Sequence, residues 1–193
     1  MMKEVERCKK ALELAETGQS VALVSGGDAG IYGMAGLVYE IAKEHNSAVT
    51  IKVIPGLAAV NSCAARLGAP LMHDFATVSL SDLLTPWEII VKRLEAVAAA
   101  DFVVALYNPK SKKRKDQIME ARYIFLKHRK PDNVVGIVTG ATRENETVVL
   151  TTIDEMLKHS INMQSTVIIG NSNSFVWNDS MITPRGYTDK YKL

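Results

Sequence analysis

The sequence has few cysteines and no long apolar run. Only two of its 193 residues are cysteine, Cys8 and Cys63, and their spacing does not match a CxxC motif. This argues against a disulfide framework and a cysteine metal site, so we predict that both are small core residues. An apolar run of about 18 residues, which a membrane helix needs, is absent, and the charged beginning of the chain differs from a signal peptide. We therefore expect a cytoplasmic protein without a membrane span.

The chain also has almost no excess of positive over negative charge, and it has few aromatic residues. The formal net charge is +2 and aromatic residues make up 6% of the chain, which does not indicate a nucleic-acid-binding protein. The four histidines have neither HxH nor HxxxH spacing, so no metal site is predicted. GxSxG and P-loop motifs are missing too, which leaves covalent catalysis without a nucleophile. The rest of the composition, 47% hydrophobic and 23% charged, is typical of a soluble globular protein.

Helix and strand patterns alternate in the first part of the chain. Residues 3–17 predict an amphipathic helix that ends at Gly18. Strands are predicted at 21–24 and 49–54, and helices at 31–45 and 57–67. A strand, a helix and a second strand in this order are typical of a βαβ unit with a parallel sheet.

The second part of the chain predicts a mixed sheet. Strands are predicted at 76–80, 101–107, 134–138, 147–150 and 166–169, and helices at 85–99, 116–127 and 153–159. Thr85 and Glu88 have the spacing of a capping box at the start of one helix. The connection at 140–146 is too short for a helical crossover, so at least one strand pair is expected to be antiparallel.

These patterns together predict the fold class and the domains. The loop at 68–74 contains Pro70 and is the predicted domain boundary. We expect an α/β protein with a cleft between two α/β domains, 1–74 and 75–193. Its first sheet is expected to be mostly parallel and its second sheet mixed.

Small or turn-forming residues follow several predicted strands. They lie at Gly26-Gly27-Asp28, Pro55-Gly56, Asn108-Pro109 and 140–142. The carboxyl ends of parallel strands meet at one edge of a sheet, where α/β proteins bind ligands. Glycine lets the backbone approach a ligand closely, and the N–H groups at the start of the following helix face the same space. The pattern favours a small-molecule cleft, while a simple helix-capping role for Asp28 stays open.

Several charged residues are further candidates for the functional site. His73 and Asp74 are candidates for an acid–base pair, with a structural role in their loop as the alternative. Five cations lie between Lys110 and Lys115, directly after Asn108. They indicate an anionic ligand, either a polycarboxylate or a nucleic-acid phosphate chain. Aromatic residues do not interleave with these cations, which disfavours nucleic acid.

Several segments together resemble a known family. The segments GGDAGIYGMAG, VIPGLAAVNSCAARLGAPLMHDF, SLSDLLTPWE, ALYNPKSKKR and GATRENE look like those of the tetrapyrrole methylases of cobalamin synthesis. The most discriminating are HDFATVSLSDLLTPWE and LYNPKSKKR. They are most similar to the branch that methylates carbon 17 of precorrin-3B, or of cobalt-precorrin-3 in the anaerobic route. The resemblance runs from about Lys3 to about Tyr187.

The resemblance implies a reaction and a set of site residues. It implies S-adenosylmethionine as methyl donor between two domains of a homodimer, and methylation of a tetrapyrrole at carbon 17 with contraction of the macrocycle. The implied donor contacts are Gly26, Gly27, Asp28, Ile31, Ala58, Ala59, Asn108, Gly140, Ala141 and Thr142. The candidates for the accompanying proton transfers are His73, Asp74 and Arg143. The acceptor carboxylates are expected to interact with Lys112, Lys113 and Arg114.

One part of the family pattern is missing from this chain. Family members usually begin with a further strand, a GxGPG-type loop and a second strand before the helix that starts this chain. A fragment, a misplaced start codon and one part of a split enzyme are explanations that stay open, as does the activity of the chain as it stands. Two alternatives remain for the function: methylation of another tetrapyrrole position, and an inactive or truncated nucleotide- or RNA-binding α/β module.

Overall fold

The structure is a computed structural model that describes residues 3–192. It divides into two compact units, Met1–Ala59 and Val60–Leu193. The domain boundary expected from the sequence lies later, after residue 74, and stays a prediction. Within the described residues, no helix combines the length and the apolar content that crossing a lipid bilayer requires.

Helices come first along the described chain, and most strands follow in its second half. The helices are α1 (Glu4–Glu16), α2 (Ala35–Glu44), α3 (Ala59–Leu67), α4 (Trp87–Ala99), α5 (Gln117–His128) and α6 (Tyr187–Lys190), with a 3₁₀ turn at Met156–Lys158. The strands are β1 (Gly68–Ala69), β2 (Phe75–Ser79), β3 (Val103–Tyr107), β4 (Val134–Thr139), β5 (Thr147–Thr152), β6 (Ser165–Ile169), β7 (Phe175–Trp177) and β8 (Ser180–Ile182).

The first unit is built on the packing of α1 against α2. Their apolar sides meet in one cluster with Cys8, Leu12 and Ile41 at its centre. This arrangement confirms the predicted amphipathic helix at the start of the chain. Gly18 follows α1 with φ of +85°, a left-handed conformation that glycine adopts without a Cβ penalty. Cys8 and Cys63 are both buried free thiols, which confirms that they are small core residues.

The predicted strands at 21–24 and 49–54 are wrong. Both segments lack a strand ladder, and Val24 and Ile54 are 80% and 73% exposed. An apolar run favours an extended backbone, but a strand forms only when a neighbouring chain exchanges N–H···O=C bonds with it. The βαβ unit expected here is therefore absent from these residues, and both sheets of the described chain lie in the second unit.

The larger sheet of the second unit is mixed. Its strands lie in the order β2-β3-β6-β4-β5, with β2 and β3 parallel and the other neighbours antiparallel. The antiparallel pair β4–β5 confirms the expectation drawn from the short connection at 140–146. Ser79 lies opposite Tyr107 at the ends of β2 and β3, so the loops after both strands leave from the same edge.

Helices α4 and α5 complete the main core of the second unit. Leu94 of α4 and Phe125 of α5 join strand residues such as Leu106 in one buried cluster, and each large side chain contributes about 1.5–3 kcal/mol by leaving water. Helix α4 begins at Trp87, and no side-chain hydrogen bond caps it. The predicted capping box is wrong because Pro86, with an extended ψ of 140°, occupies the cap position instead of Thr85.

A second, smaller sheet was not anticipated from the sequence. Its order is β1-β8-β7, with β1 and β8 parallel and β7 and β8 antiparallel. Asn178 and Asp179 connect β7 to β8, and both have positive φ. Positive φ at both positions is typical of the two-residue hairpin turn whose twist matches that of the strands. With two sheets, and with helices packed against the larger one, the α/β class is confirmed.

Candidate functional site

The Asp28 carboxylate organises the glycine loop of the first unit. Its Oδ1 accepts hydrogen bonds from the backbone N–H groups of Gly30 and Ile31 at 2.7 and 3.1 Å. Its Oδ2 accepts one from the N–H of Gly56 at 2.9 Å. These bonds, the one from Gly56 foremost, lower the pKa of Asp28 from its usual value because they favour the charged form. The carboxylate therefore ties the loop at 26–31 to the Pro55-Gly56 turn.

The two turns are also in backbone contact. Gly27 has φ of +75°, and a Cβ placed on Gly56 would overlap the carbonyl oxygen of Gly27. A Cβ on Gly33 would lie 2.5 Å from the carbonyl oxygen of Ala29. These positions need glycine because no side chain fits between the backbones. The region around Gly26 differs, since a Cβ there would meet nothing within 4 Å.

The predicted donor contacts of the first unit lie in two adjoining turns. Gly26, Gly27, Asp28 and Ile31 share one loop, which Asp28 joins to the turn that precedes Ala58. Gly26 and Ile31 are exposed, whereas Ala58 is 3% exposed. An exposed glycine loop with open space beside it is able to accept a ligand against its backbone. Ala59 is exposed at the first position of α3.

In the second unit, Asn108 directly follows β3 in a left-handed conformation with φ of +50°. Its side-chain Nδ2 donates to Ser79 Oγ at 3.0 Å, which links the ends of β2 and β3. Its carbonyl oxygen accepts from Arg114 Nη2 at 2.9 Å. These contacts hold the turn after β3 in a defined shape.

Arg114 differs from its neighbours in the basic run. Only 7% of the residue is exposed, and its Nη1 lies 3.4 Å from Ser81 Oγ and 3.9 Å from Asp82 Oδ1. Lys112 and Lys113 are exposed. The sequence grouped the three cations as one acceptor-binding set, but the structure gives Arg114 internal contacts and leaves the two lysines in solvent.

The loop at 140–146 is shaped by Glu146. Gly140 and Thr142 both have positive φ, and Glu146 Oε2 accepts from the Thr142 N–H at 2.5 Å and from Arg66 Nε at 2.9 Å. The Thr142 bond, followed by Arg66, lowers the pKa of Glu146. Ala141 is half-buried and Arg143 is exposed. The loop predicted to contact the donor is therefore anchored to α3.

His73 and Asp74 do not form a close acid–base pair. His73 Nδ1 accepts from the backbone N–H of Asp74 at 2.8 Å and lies 3.8 Å from Asp74 Oδ2. Both residues are exposed. The contact is of the kind expected for a structural role in the loop, which the sequence left as the alternative. The part of His73 and Asp74 in proton transfer stays a prediction.

Sequence reasoning missed the groups that hold these loops. Glu146, Arg66 and Ser79 were not singled out, although each contacts a predicted site loop. Glu146 offered a signal, because an acidic residue shortly after a glycine turn is able to accept the N–H groups of that turn. Arg66 offered none, since its partner lies far away along the chain.

Known proteins show clear similarity to this chain. Residues 2–157 match the family described as Tetrapyrrole (Corrin/Porphyrin) Methylases. A probable cobalt-factor III C(17)-methyltransferase of Salmonella typhimurium is 48% identical over 97% of this chain and 78% of its own length. A cobalt-factor III methyltransferase of Priestia megaterium is 56% identical over 100% of this chain, which spans 36% of that relative.

A solved structure is similar as well. The crystal structure of the methyltransferase CobJ superposes with a TM-score of 0.86 and 33% identity, over 94% of this chain and 77% of that one. The family match covers more than half of the described chain, and the fold agrees with it. The predicted family and its methyltransferase class are confirmed: this chain belongs to the tetrapyrrole (corrin/porphyrin) methylases.

Proposed function

We propose that the chain methylates carbon 17 of precorrin-3B or cobalt-precorrin-3, with ring contraction, in cobalamin biosynthesis. The observation that carries this is the 48% identity, over 97% of the chain, to a protein named a probable cobalt-factor III C(17)-methyltransferase. The cobalt in that name favours the cobalt-containing acceptor. The segment SLSDLLTPWE, one of the most discriminating parts of the resemblance, supports the same branch.

S-adenosylmethionine is the proposed methyl donor, and it supplies an activated methyl group on a sulfonium. The fit of the chain to such a ligand is supported by the exposed loop at 26–31, with open space beside Gly26 and a backbone held by Asp28. The proposed donor contacts there are Gly26, Gly27, Asp28, Ile31, Ala58 and Ala59. Asn108, Gly140, Ala141 and Thr142 are proposed as further contacts.

The residues of the chain have a positioning task in this reaction. Methyl transfer is a direct displacement, so the protein needs no covalent nucleophile, in agreement with the motifs that the sequence lacks. Alignment of two bound reactants can supply about 7–11 kcal/mol of the barrier at best. Ring contraction also requires proton transfers, for which His73, Asp74 and Arg143 remain the proposed groups.

The proposed setting of the enzyme is a homodimer in the cytoplasm. The lack of a candidate membrane helix among the described residues is consistent with this setting. Size-exclusion chromatography with light scattering tests the oligomeric state.

The proposed function is tested in two steps on the full chain. Isothermal calorimetry with S-adenosylhomocysteine is expected to show micromolar binding, and incubation of cobalt-factor III with methyl-labelled S-adenosylmethionine is expected to label the tetrapyrrole. Transfer to a different ring position would reassign the branch. Salt-sensitive RNA binding without nucleoside binding would instead support a nucleic-acid module.

A further inference from the structure

Two loops of the second unit are joined by a buried arginine. We call residues 81–86 and 108–116 the clamped loops. Arg114 donates to the carbonyl oxygen of Asn108 in one loop at 2.9 Å and to Ser81 Oγ in the other at 3.4 Å. Its guanidinium also lies 3.9 Å from Asp82. Because its side chain is only 8% exposed, these contacts are shielded from water. They are therefore stronger than the contacts of an ion pair on the surface.

A second contact fixes Asp82. Its Oδ2 accepts from Gln117 Nε2 at 2.9 Å, at the start of α5. Asp82 therefore faces Arg114 with one oxygen and Gln117 with the other. The loop that follows β2 is thereby anchored to the loop that follows β3, and both leave from the same sheet edge.

The clamped loops carry exposed apolar side chains on one loop and exposed cationic side chains on the other. Leu83 and Leu84 are 81% and 98% exposed, and Lys112 and Lys113 are exposed on the partner loop. No ion pair involves either lysine within the described part of the chain. Single exposed leucines are ordinary, but two adjacent ones leave unrealised the free energy that burial of each side chain would release. A ligand that covers them would recover part of this free energy.

We propose that the clamped loops are an acceptor-recognition element for a polycarboxylate macrocycle. Leu83 and Leu84 contact its apolar face, and Lys112 and Lys113 pair with its carboxylates. Arg114 is a positioning residue that holds the two loops in register, in place of the direct acceptor contact expected from the sequence. The occupant follows from complementarity, because such a macrocycle combines a broad apolar face with negative charges at its rim. This inference rests on the proposed function.

The test measures acceptor and donor binding separately in the full chain. Cobalt-factor III is titrated by absorbance, and S-adenosylhomocysteine by calorimetry. The double variant Leu83→Ser/Leu84→Ser is expected to weaken tetrapyrrole binding about tenfold. Lys112→Gln/Lys113→Gln is expected to weaken it and to flatten its salt dependence. Donor affinity is expected to stay unchanged in both.

Arg114 is tested by a conservative pair of variants. Arg114→Ala is expected to weaken tetrapyrrole binding, and Arg114→Lys to restore part of it, because a lysine replaces one of the two loop contacts. The surface substitutions Leu157→Ser and Lys92→Gln serve as matched controls, since both side chains are exposed outside the clamped loops. They are expected to leave both affinities at the wild-type value.

Three other outcomes would contradict either the inference or the proposed function. Wild-type tetrapyrrole affinity in both double variants would overturn the inference. A monomer in place of a dimer after Leu83→Ser/Leu84→Ser would assign the leucines to a second copy of the chain and also overturn it. Failure of the unaltered protein to bind either ligand would instead contradict the proposed function.

Discussion

The glycine loop at 26–31 and the loop at 140–146 are both held in shape by a carboxylate, but the carboxylates have different hydrogen-bond partners. Each contains at least one positive-φ residue, and each is shaped by one carboxylate. The hydrogen bonds that Asp28 accepts from Gly30, Ile31 and Gly56 all come from backbone N–H groups. Glu146 divides its bonds between a backbone N–H and the side chain of Arg66.

The difference concerns what each loop depends on. Backbone N–H groups are uncharged and present whatever the side chains are, so the loop at 26–31 depends on close backbone approach and on glycine. The Arg66 side chain is 48% exposed, and an ion pair in contact with water is screened by salt. We therefore expect the first loop to be sensitive to volume, and the second to be sensitive to ionic strength.

The largest effect is expected where backbone meets backbone. Gly56→Ala would place a Cβ on the carbonyl oxygen of Gly27, and overpacking of this kind costs about 1–3 kcal/mol of unfolding free energy. Chemical denaturation of the full chain measures it. Gly36→Ala is the matched control, because a Cβ there meets nothing within 4 Å and alanine favours a helix. Equal stability of the two variants would contradict the close contact.

A smaller effect is expected from Asp28→Asn. The amide places an N–H donor where the carboxylate accepts from backbone N–H groups, so at least one bond is lost and the loop loosens. Affinity for S-adenosylhomocysteine is expected to fall about tenfold in calorimetry. Asp132→Asn, at an exposed site outside the loop, is the control. Undiminished affinity would remove Asp28 from donor binding.

The two carboxylates are also expected to differ in their pH dependence. Both have a pKa lowered in the folded state, from ordinary values of 3.8 for Asp28 and 4.5 for Glu146. Their stabilisation is fully present above those values and is lost as the pH falls through the lower folded pKa. Acid titration of unfolding should show the advantage of wild type over Glu146→Gln beginning to decline below the ordinary value of 4.5, and its advantage over Asp28→Asn below 3.8. An advantage that does not decline in acid for either variant would contradict the assigned contacts of that carboxylate.

The smallest effect is expected from Arg66→Gln. The Thr142 N–H bond to Glu146 remains, so the loop at 140–146 loses only its exposed ion pair. A slight loss of stability at low salt is expected to vanish in 1 M salt, where the Debye length is about 3 Å. A loss that persists at high salt would show that Arg66 contributes by packing.

Local patterns predicted much of the fold and of the site loops. Helix α1 was predicted from its apolar periodicity, and the turns after Ser25, Tyr107 and Thr139 were predicted from glycine and asparagine. Positive φ is indeed found at Gly27, Asn108 and Gly140. Strand pairing was predicted less well than local structure. The runs at 21–24 and 49–54 have the composition of strands but form no ladder, and the hairpin at 175–182 was not predicted.

By itself, the sequence determined the family, the α/β class and the positions of the glycine turns. These depend on short segments whose residue types restrict the backbone locally. Only the tertiary structure decided that Arg114 is buried between two loops, that Asp28 binds Gly56, and that Arg66 reaches Glu146. Each of these contacts joins residues from separate segments, so it exists only after packing has brought both polar groups together and removed part of their water.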